Sequence, residues 1–123
     1  MRRILASLVT TAAIAPPVIH EPFTAVTCPL HPDTTSEVIG CQEHRVLRTD
    51  RAIDAEVRSI FGLLRTESRR STFVAAERSW LRYRRESCSV EASTPAALLS
   101  CTLKRNTSHL ADLEAMRTAL ARR

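Results

Sequence analysis

Four cysteines in two equally spaced pairs constrain this chain more than any other feature. Twelve residues separate Cys28 from Cys41, and twelve separate Cys88 from Cys101. In a chain destined for export, an even number of cysteines is typical of a disulfide framework, and four cysteines allow three pairings. We favour the local pairing, because each pair spans a turn-rich segment. Closing loops of this size would contribute about 3 kcal/mol each to the free energy of unfolding.

The first 25 residues have the features of an export signal. The chain begins Met-Arg-Arg, and the twelve residues 4–15 are apolar and uncharged. A membrane-spanning helix needs about 20 apolar residues, so this shorter run fits the apolar region of a secretory signal. Small residues precede Pro16, but proline is a poor residue directly after a cleavage site. We therefore expect cleavage further along, before Val26.

Two other arrangements of the N-terminus are compatible with the sequence. One is an uncleaved helix that tethers the protein to a membrane, and the other is a lipid anchor on Cys28, for which Thr27 is an unfavourable preceding residue. Prolines make residues 16–33 a linker without regular structure. No second apolar segment of membrane length follows in the sequence. The mature domain, residues 26–123, is therefore expected to be secreted or held in the cell envelope.

The remaining sequence favours helices. It holds only two glycines, and Ala, Leu, Arg and Glu are frequent. Thr34 and Glu37 form a capping box at the start of a first helix that ends around Thr66. Ser71 is a candidate cap for a second helix that runs to about Cys88. A third helix has its stripe of apolar residues at heptad-like spacing: Leu99, Leu103, Leu110, Leu113 and Leu120.

Short connections between long helices imply antiparallel neighbours. Pro95 stands where proline is tolerated, in the first turn of the third helix. The predicted fold class is therefore all-α, a small antiparallel three-helix bundle. The Cys28–Cys41 disulfide would close an N-terminal hairpin against one end of it.

The second helix carries the only Trp and the only Tyr. Trp80 falls on one helical stripe with Phe73, Glu77, Arg84 and Cys88. A single Trp buries on the order of 200 Å², so we expect Trp80 to anchor the core.

The other predicted core residues are Ile53, Tyr83, Asp50 and Arg84. Asp50 falls near the apolar stripe of the first helix, so an ion pair with Arg84 across an antiparallel packing is geometrically possible. The alternative is two separately solvated charges.

The order of these segments resembles a known family. Residues 76–84 followed by Cys88 are similar to the core motif of the lysozyme inhibitor LprI N-terminal domain family. Residues 41–54 are similar to its first helix, and residues 101–103 followed by Leu110 to its last. The resemblance covers residues 28–115.

The resemblance implies an exported helical domain with disulfides and, for some members, inhibition of host lysozyme. This chain differs from the family pattern at two places. Residues 91–94 stand where members often have a Gly-Gly-Ser turn, and Asp54 stands where an Asn is common.

The sequence does not predict an enzyme. It has no Ser-His-Asp order, no Gly-rich phosphate loop and no outstanding carboxylate pair. Neither a cofactor nor a metal is predicted. The alternative is a zinc site, since Cys28 with His31 and Cys41 with His44 repeat a Cys-x-x-His spacing. Export and the matching second cysteine pair argue against zinc.

The predicted function is binding of a protein partner, and the resemblance points to a lysozyme. Animal lysozymes are cationic, and this chain has a net charge of +5. Like net charges oppose long-range steering, so inhibition would need a local acidic or polar insertion. Residues 89–94 are the candidate, and their partner-binding side chains are Ser89, Glu91, Ser93 and Thr94.

The alternative is a structural or interaction protein of the cell envelope. Arg78, Arg82 and Arg85 belong to an arginine-rich stretch that could contact anionic lipid head groups or wall polymers. A solvated face is the other interpretation of the same residues. Nucleic acid is not an expected partner of an exported protein, despite the charge.

Overall fold

The computed structural model describes residues 14–23 and 27–123. It contains three helices in chain order, α1 at Thr35–Leu63, α2 at Glu67–Glu91 and α3 at Pro95–Ala121, and no strand in the described ranges. The predicted cleavage position before Val26 lies outside the described residues, as do residues 1–13 of the predicted signal.

The three helices form an up-down-up bundle. α2 runs antiparallel to α1, since Arg84 contacts Asp50 while Arg70, a few turns earlier in α2, contacts the last turn of α1 at Phe61. α1 and α3 are parallel and make the most extensive contact between helices. This confirms the predicted all-α bundle. Within the described ranges, no helix has an apolar stretch long enough to cross a bilayer.

Each helix has a threonine as its N-cap residue. At the start of α1, the Thr34 hydroxyl accepts from the Glu37 N–H at 3.1 Å, and Glu37 accepts from the Thr34 N–H at 3.2 Å, which is the predicted capping box. Backbone hydrogen bonds from Asp33 and Thr34 lower the pKa of Glu37 below its ordinary value. This carboxylate therefore stabilises the helix above its ordinary pKa, and the contribution is lost as the pH falls through the lowered value.

Replacing Thr34 with alanine tests this cap. We expect Thr34→Ala to lower the free energy of unfolding by about 1 kcal/mol, because the Glu37 N–H loses its acceptor. Chemical denaturation followed by circular dichroism would measure the change. Thr35→Ala is the matched control, since Thr35 is the first helical residue and is exposed. Equal losses for the two variants would contradict a specific role of the Thr34 hydroxyl.

Two predicted boundaries of the second helix are wrong. Ser71 does not cap α2, because the Thr66 hydroxyl already accepts from the Arg69 N–H at 3.2 Å and starts the helix one turn earlier. At the other end, α2 continues past Cys88 to Glu91. The predicted polar loop of residues 89–94 is thereby reduced to the turn at residues 92–94.

Both cysteine pairs form disulfides in the local arrangement. Cys28 is bonded to Cys41 and Cys88 to Cys101, with Cα–Cα distances of 4.6 and 5.6 Å. The first disulfide ties the segment before α1 to an early turn of that helix, and the second joins the end of α2 to the start of α3. Because the sulfurs of Cys28 and Cys41 are bonded to each other, the alternative zinc site lacks its two thiolates.

The core lies between α1 and α3, and one buried residue of α2 packs against it. Its buried members are Ile53, Val57, Ile60, Phe73 and Leu113. Trp80 is half-buried and packs against the edge of this cluster, so the indole is not its centre. The placement of Tyr83 in the core is wrong, since this residue is 52% exposed. Tyr83 is one position from the buried Arg84, and a turn of about 100° per residue carries it off the buried stripe.

Candidate functional site

One residue from each helix meets in a buried polar cluster at the middle of the bundle. Arg84 of α2 donates from Nη1 to Oδ1 of Asp50 and to Oδ1 of Asn106, both at 2.8 Å. Asn106 of α3 in turn donates from Nδ2 to Oδ1 of Asp50 of α1 at 2.7 Å. All three residues are buried. The ion pair that the sequence made possible between Asp50 and Arg84 is therefore present and shielded from solvent.

Asn106 was not among the residues singled out from the sequence, although a signal for it exists. It lies on the leucine stripe of α3, between Leu103 and Leu110, at a position where helical spacing demands a buried side chain. A polar residue there must find hydrogen-bond partners inside the protein. Asn106 finds Asp50, Arg84 and also the hydroxyl of Thr49, at 2.9 Å.

A segment without regular structure, residues 18–23, completes the cluster, and we call it the strap. Glu21 of the strap accepts from Nη2 of Arg84 at 2.6 Å. The backbone N–H of Ile19 donates to Oδ1 of Asp54 on α1 at 3.1 Å, and the Ile19 side chain packs against the hydrophobic core. The sequence predicted only a linker here. No periodicity in this proline-rich stretch indicates that it contacts the helices.

The carboxyl group of Glu21 is strongly perturbed. Burial and a hydrogen bond to Asp50 raise the pKa of Glu21 to about 7, although the Arg84 guanidinium opposes the shift. The second carboxylate oxygen of Asp50, Oδ2, is buried and has no other donor in the described part of the chain. A protonated Glu21 would supply that donor.

A cavity of about 720 Å³ lies between the strap and the facing ends of α2 and α3. Arg84, Arg85 and Ser89 contribute its polar lining from α2. Its apolar side chains outside the strap are Leu81, Leu98 and Leu99. The cavity thus combines guanidinium groups with aliphatic walls, which suits a ligand that is both anionic and apolar.

Four of the predicted partner-binding residues share one face of α2. Arg78, Arg82, Arg85 and Ser89 follow one another at spacings of four, three and four residues and are all exposed. In the described ranges, none of the three arginines forms a salt bridge. This arginine stripe is therefore free to contact an anionic partner.

The other predicted partner-binding residues lie apart from that stripe. Glu91 is the last residue of α2 and accepts from Nη2 of Arg105 on α3 at 2.7 Å, while its side chain remains 57% exposed. Ser93 is exposed in the turn, and Thr94 caps α3 by accepting from the Ala97 N–H at 3.1 Å. The acidic group expected in a polar loop thus lies at a helix end, where it forms an ion pair with Arg105.

A third arrangement involves the lone Trp. The indole of Trp80 stacks on the imidazole of His109 with ring centroids 3.8 Å apart. Nε2 of His109 lies 2.9 Å from Oε2 of the buried Glu77. His109 is thus partly packed. In the described ranges, no group of His, Cys, Asp or Glu side chains is arranged to hold a metal ion.

Comparison with known proteins identifies the family. The family model described as Lysozyme inhibitor LprI matches residues 28–119, well over half of the 123 residues. The matched span contains both disulfides, nearly all of the three helices and the helical members of the polar cluster, whereas the strap precedes it. Neither the curated proteins nor the solved structures gave a significant match. The chain therefore belongs to the lysozyme inhibitor LprI family.

Proposed function

We propose that this protein is an exported, disulfide-stabilised helical binding protein that inhibits a lysozyme. The family match over residues 28–119 is the observation that carries this proposal. Two disulfides support an oxidising, extracytoplasmic location, because such bonds persist there and are rare in the cytosol. The proposed role requires a stable surface that holds a partner, and it assigns no catalytic step to any residue.

The end of the bundle between α2 and α3 is the proposed contact surface. The Cys88–Cys101 disulfide and the ion pair between Glu91 and Arg105 hold the turn at residues 92–94 in place. A fixed surface loses little conformational entropy on binding. Glu91 and Ser93 are exposed there and can form hydrogen bonds with a partner.

Net charge makes a local acidic contact important. From residue 26 onward the chain has 16 Arg and Lys residues against 12 Asp and Glu residues, which gives +4. Repulsion from a cationic lysozyme would slow association at low salt. Glu91 is a half-exposed carboxylate on the proposed surface, so it can offer an attractive interaction at short range.

The test is the rate at which lysozyme digests cell walls in the presence of the oxidised protein. We expect the parent chain to slow digestion, and Glu91→Ala to raise the inhibition constant by about tenfold, since a charge-assisted hydrogen bond is lost. Glu86→Ala is the matched control, because it removes the same charge from an exposed position on the same helix. It should leave inhibition nearly unchanged. Absence of inhibition at micromolar excess would reject the proposed function.

The arginine stripe supports a second candidate, contact with an anionic component of the cell envelope. Arg78, Arg82 and Arg85 are exposed and form no salt bridge among the described residues. Each basic residue near an anionic membrane surface contributes about 1 kcal/mol to binding. Salt-sensitive binding to anionic vesicles that is lost when all three become glutamine, in a protein that does not inhibit lysozyme, would favour this function.

A further inference from the structure

The strap occupies the cleft above the polar cluster as a bound peptide would. Residues 18–23 have no helix or strand of their own, and two of them form hydrogen bonds with the helices. A backbone N–H of the strap is held by Asp54, and its one acidic side chain, Glu21, is held by Arg84. The Ile19 side chain fills an apolar position against the core.

Arg84, which receives the Glu21 carboxyl group, is held by contacts with the other two helices. Arg84 is oriented by hydrogen bonds from its other terminal nitrogen to Asp50 and Asn106, each at 2.8 Å, so Nη2 faces the strap with little freedom to move. A guanidinium held in this way is suited to a carboxylate. The Asp54 carboxylate receives the backbone, and Leu81 and Leu99 provide apolar walls.

We propose that this cleft is a binding site for an extended peptide that carries one carboxylate side chain between apolar residues, and that the strap is its built-in occupant. The site is distinct from the contact proposed at Glu91, and the inference does not depend on lysozyme inhibition. The strap lies before the span that matches the family model, whereas Asp50, Arg84 and Asn106 lie within it. Cleavage at the position predicted before Val26 would separate the strap from the helices and open the cleft to a peptide of the same chemistry.

The charges around the cleft make binding depend on pH. The charged groups that interact with Glu21 are Arg84 of α2 and Asp50 of α1. Arg85 of α2 lines the same cavity, and Asn106 of α3 forms a hydrogen bond with Arg84. Near the strap backbone, burial also raises the pKa of Asp54, and His20 of the strap acts against this shift.

The sign of the pH effect follows from Glu21. Its pKa rises from 4.5 to about 7 in the bound arrangement, so binding takes up a proton between these values. The bound state is therefore most favoured below pH 4.5, and that advantage is lost as the pH rises through about 7.

The experiment uses the full oxidised chain and a fluorescent peptide with the sequence of residues 16–23. Glu21→Lys should release the strap, because it places a cation beside Arg84, and Ile19→Asp should do so independently, because it places an anion beside Asp54 and the core. Fluorescence anisotropy would measure peptide binding. We expect both variants to bind at least about tenfold more tightly than the parent, whose cleft is already occupied at high effective concentration.

Two control measurements define the ligand chemistry. A peptide with alanine in place of its glutamate should bind the released chains about tenfold more weakly at pH 6, since the hydrogen bonds of the carboxyl group to Arg84 and Asp50 are lost. The original peptide should bind several-fold more weakly at pH 8 than at pH 5.5. If circular dichroism shows both variants to be folded and neither binds the peptide, the inference is wrong. Equal binding of the alanine peptide would refute recognition of the carboxyl group.

Discussion

Replacing Arg84 with methionine should lower the free energy of unfolding by about 3–5 kcal/mol, the typical cost of removing one partner from a buried ion pair. Methionine keeps most of the aliphatic stem, so the change isolates the guanidinium. Asp50 and Asn106 would each lose a donor inside the protein, and Glu21 would lose its counter-ion. Urea denaturation of the oxidised chain would measure the loss.

Arg85→Met is the matched control for this prediction. It removes the same charge at the adjacent position of α2, but Arg85 is exposed, whereas Arg84 is buried. We expect the control to change stability by about 0.5 kcal/mol or less. If the two variants unfold at the same urea concentration, the buried cluster contributes nothing specific and its structural role is refuted.

A double replacement separates the ion pair from the burial of its members. Asp50→Leu alone leaves Arg84 with only Glu21 as a charged partner in the cluster, and Arg84→Met alone leaves two carboxyl groups together. With both changes, no uncompensated guanidinium remains. The free energy of unfolding should therefore fall by less than the sum of the two single decreases. An additive result would show that Asp50 and Arg84 do not interact.

The helices could be predicted because their signals are local. Apolar periodicity placed α1 and α3, and the capping box at Thr34 and Glu37 marked the start of α1. The start of α2 was misplaced because Thr66 and Ser71 are both competent caps, and local sequence does not choose between them. The structure uses Thr66, whose hydroxyl accepts from the Arg69 N–H, and the buried apolar residues of α2 begin about two turns later, at Phe73.

The polar cluster could be predicted only in part. Asp50 and Arg84 were found because each lies near an apolar stripe, where a charge needs a partner. Asn106 could have been found by the same argument, as an uncharged polar residue within the leucine stripe of α3. Glu21 could not, because it reaches Arg84 from a segment without periodicity, 63 residues away in sequence. Its position depends on tertiary contacts that no local pattern encodes.

Removing the Cys88–Cys101 disulfide is expected to have the second large effect. In the double variant Cys88→Ala and Cys101→Ala, the free energy of unfolding should fall by about 3 kcal/mol. This is the effect expected when the unfolded chain is no longer constrained by a closed loop of this length. Cys88 is also buried, with 1% of its surface exposed, so alanine leaves a small void that adds to the loss. The disulfide joins the two helices that flank the proposed partner-binding turn.

The other disulfide provides the control for this prediction. Cys28 and Cys41 have the same sequence separation of 13, so the unfolded chain loses an equal constraint when both become alanine. Cys28 is exposed and Cys41 is only half-buried, so little packing is lost with them. We therefore expect the variant without Cys88–Cys101 to unfold at a lower urea concentration than the variant without Cys28–Cys41. The reverse order would show that the N-terminal hairpin, and not the junction of α2 and α3, limits the stability of the domain.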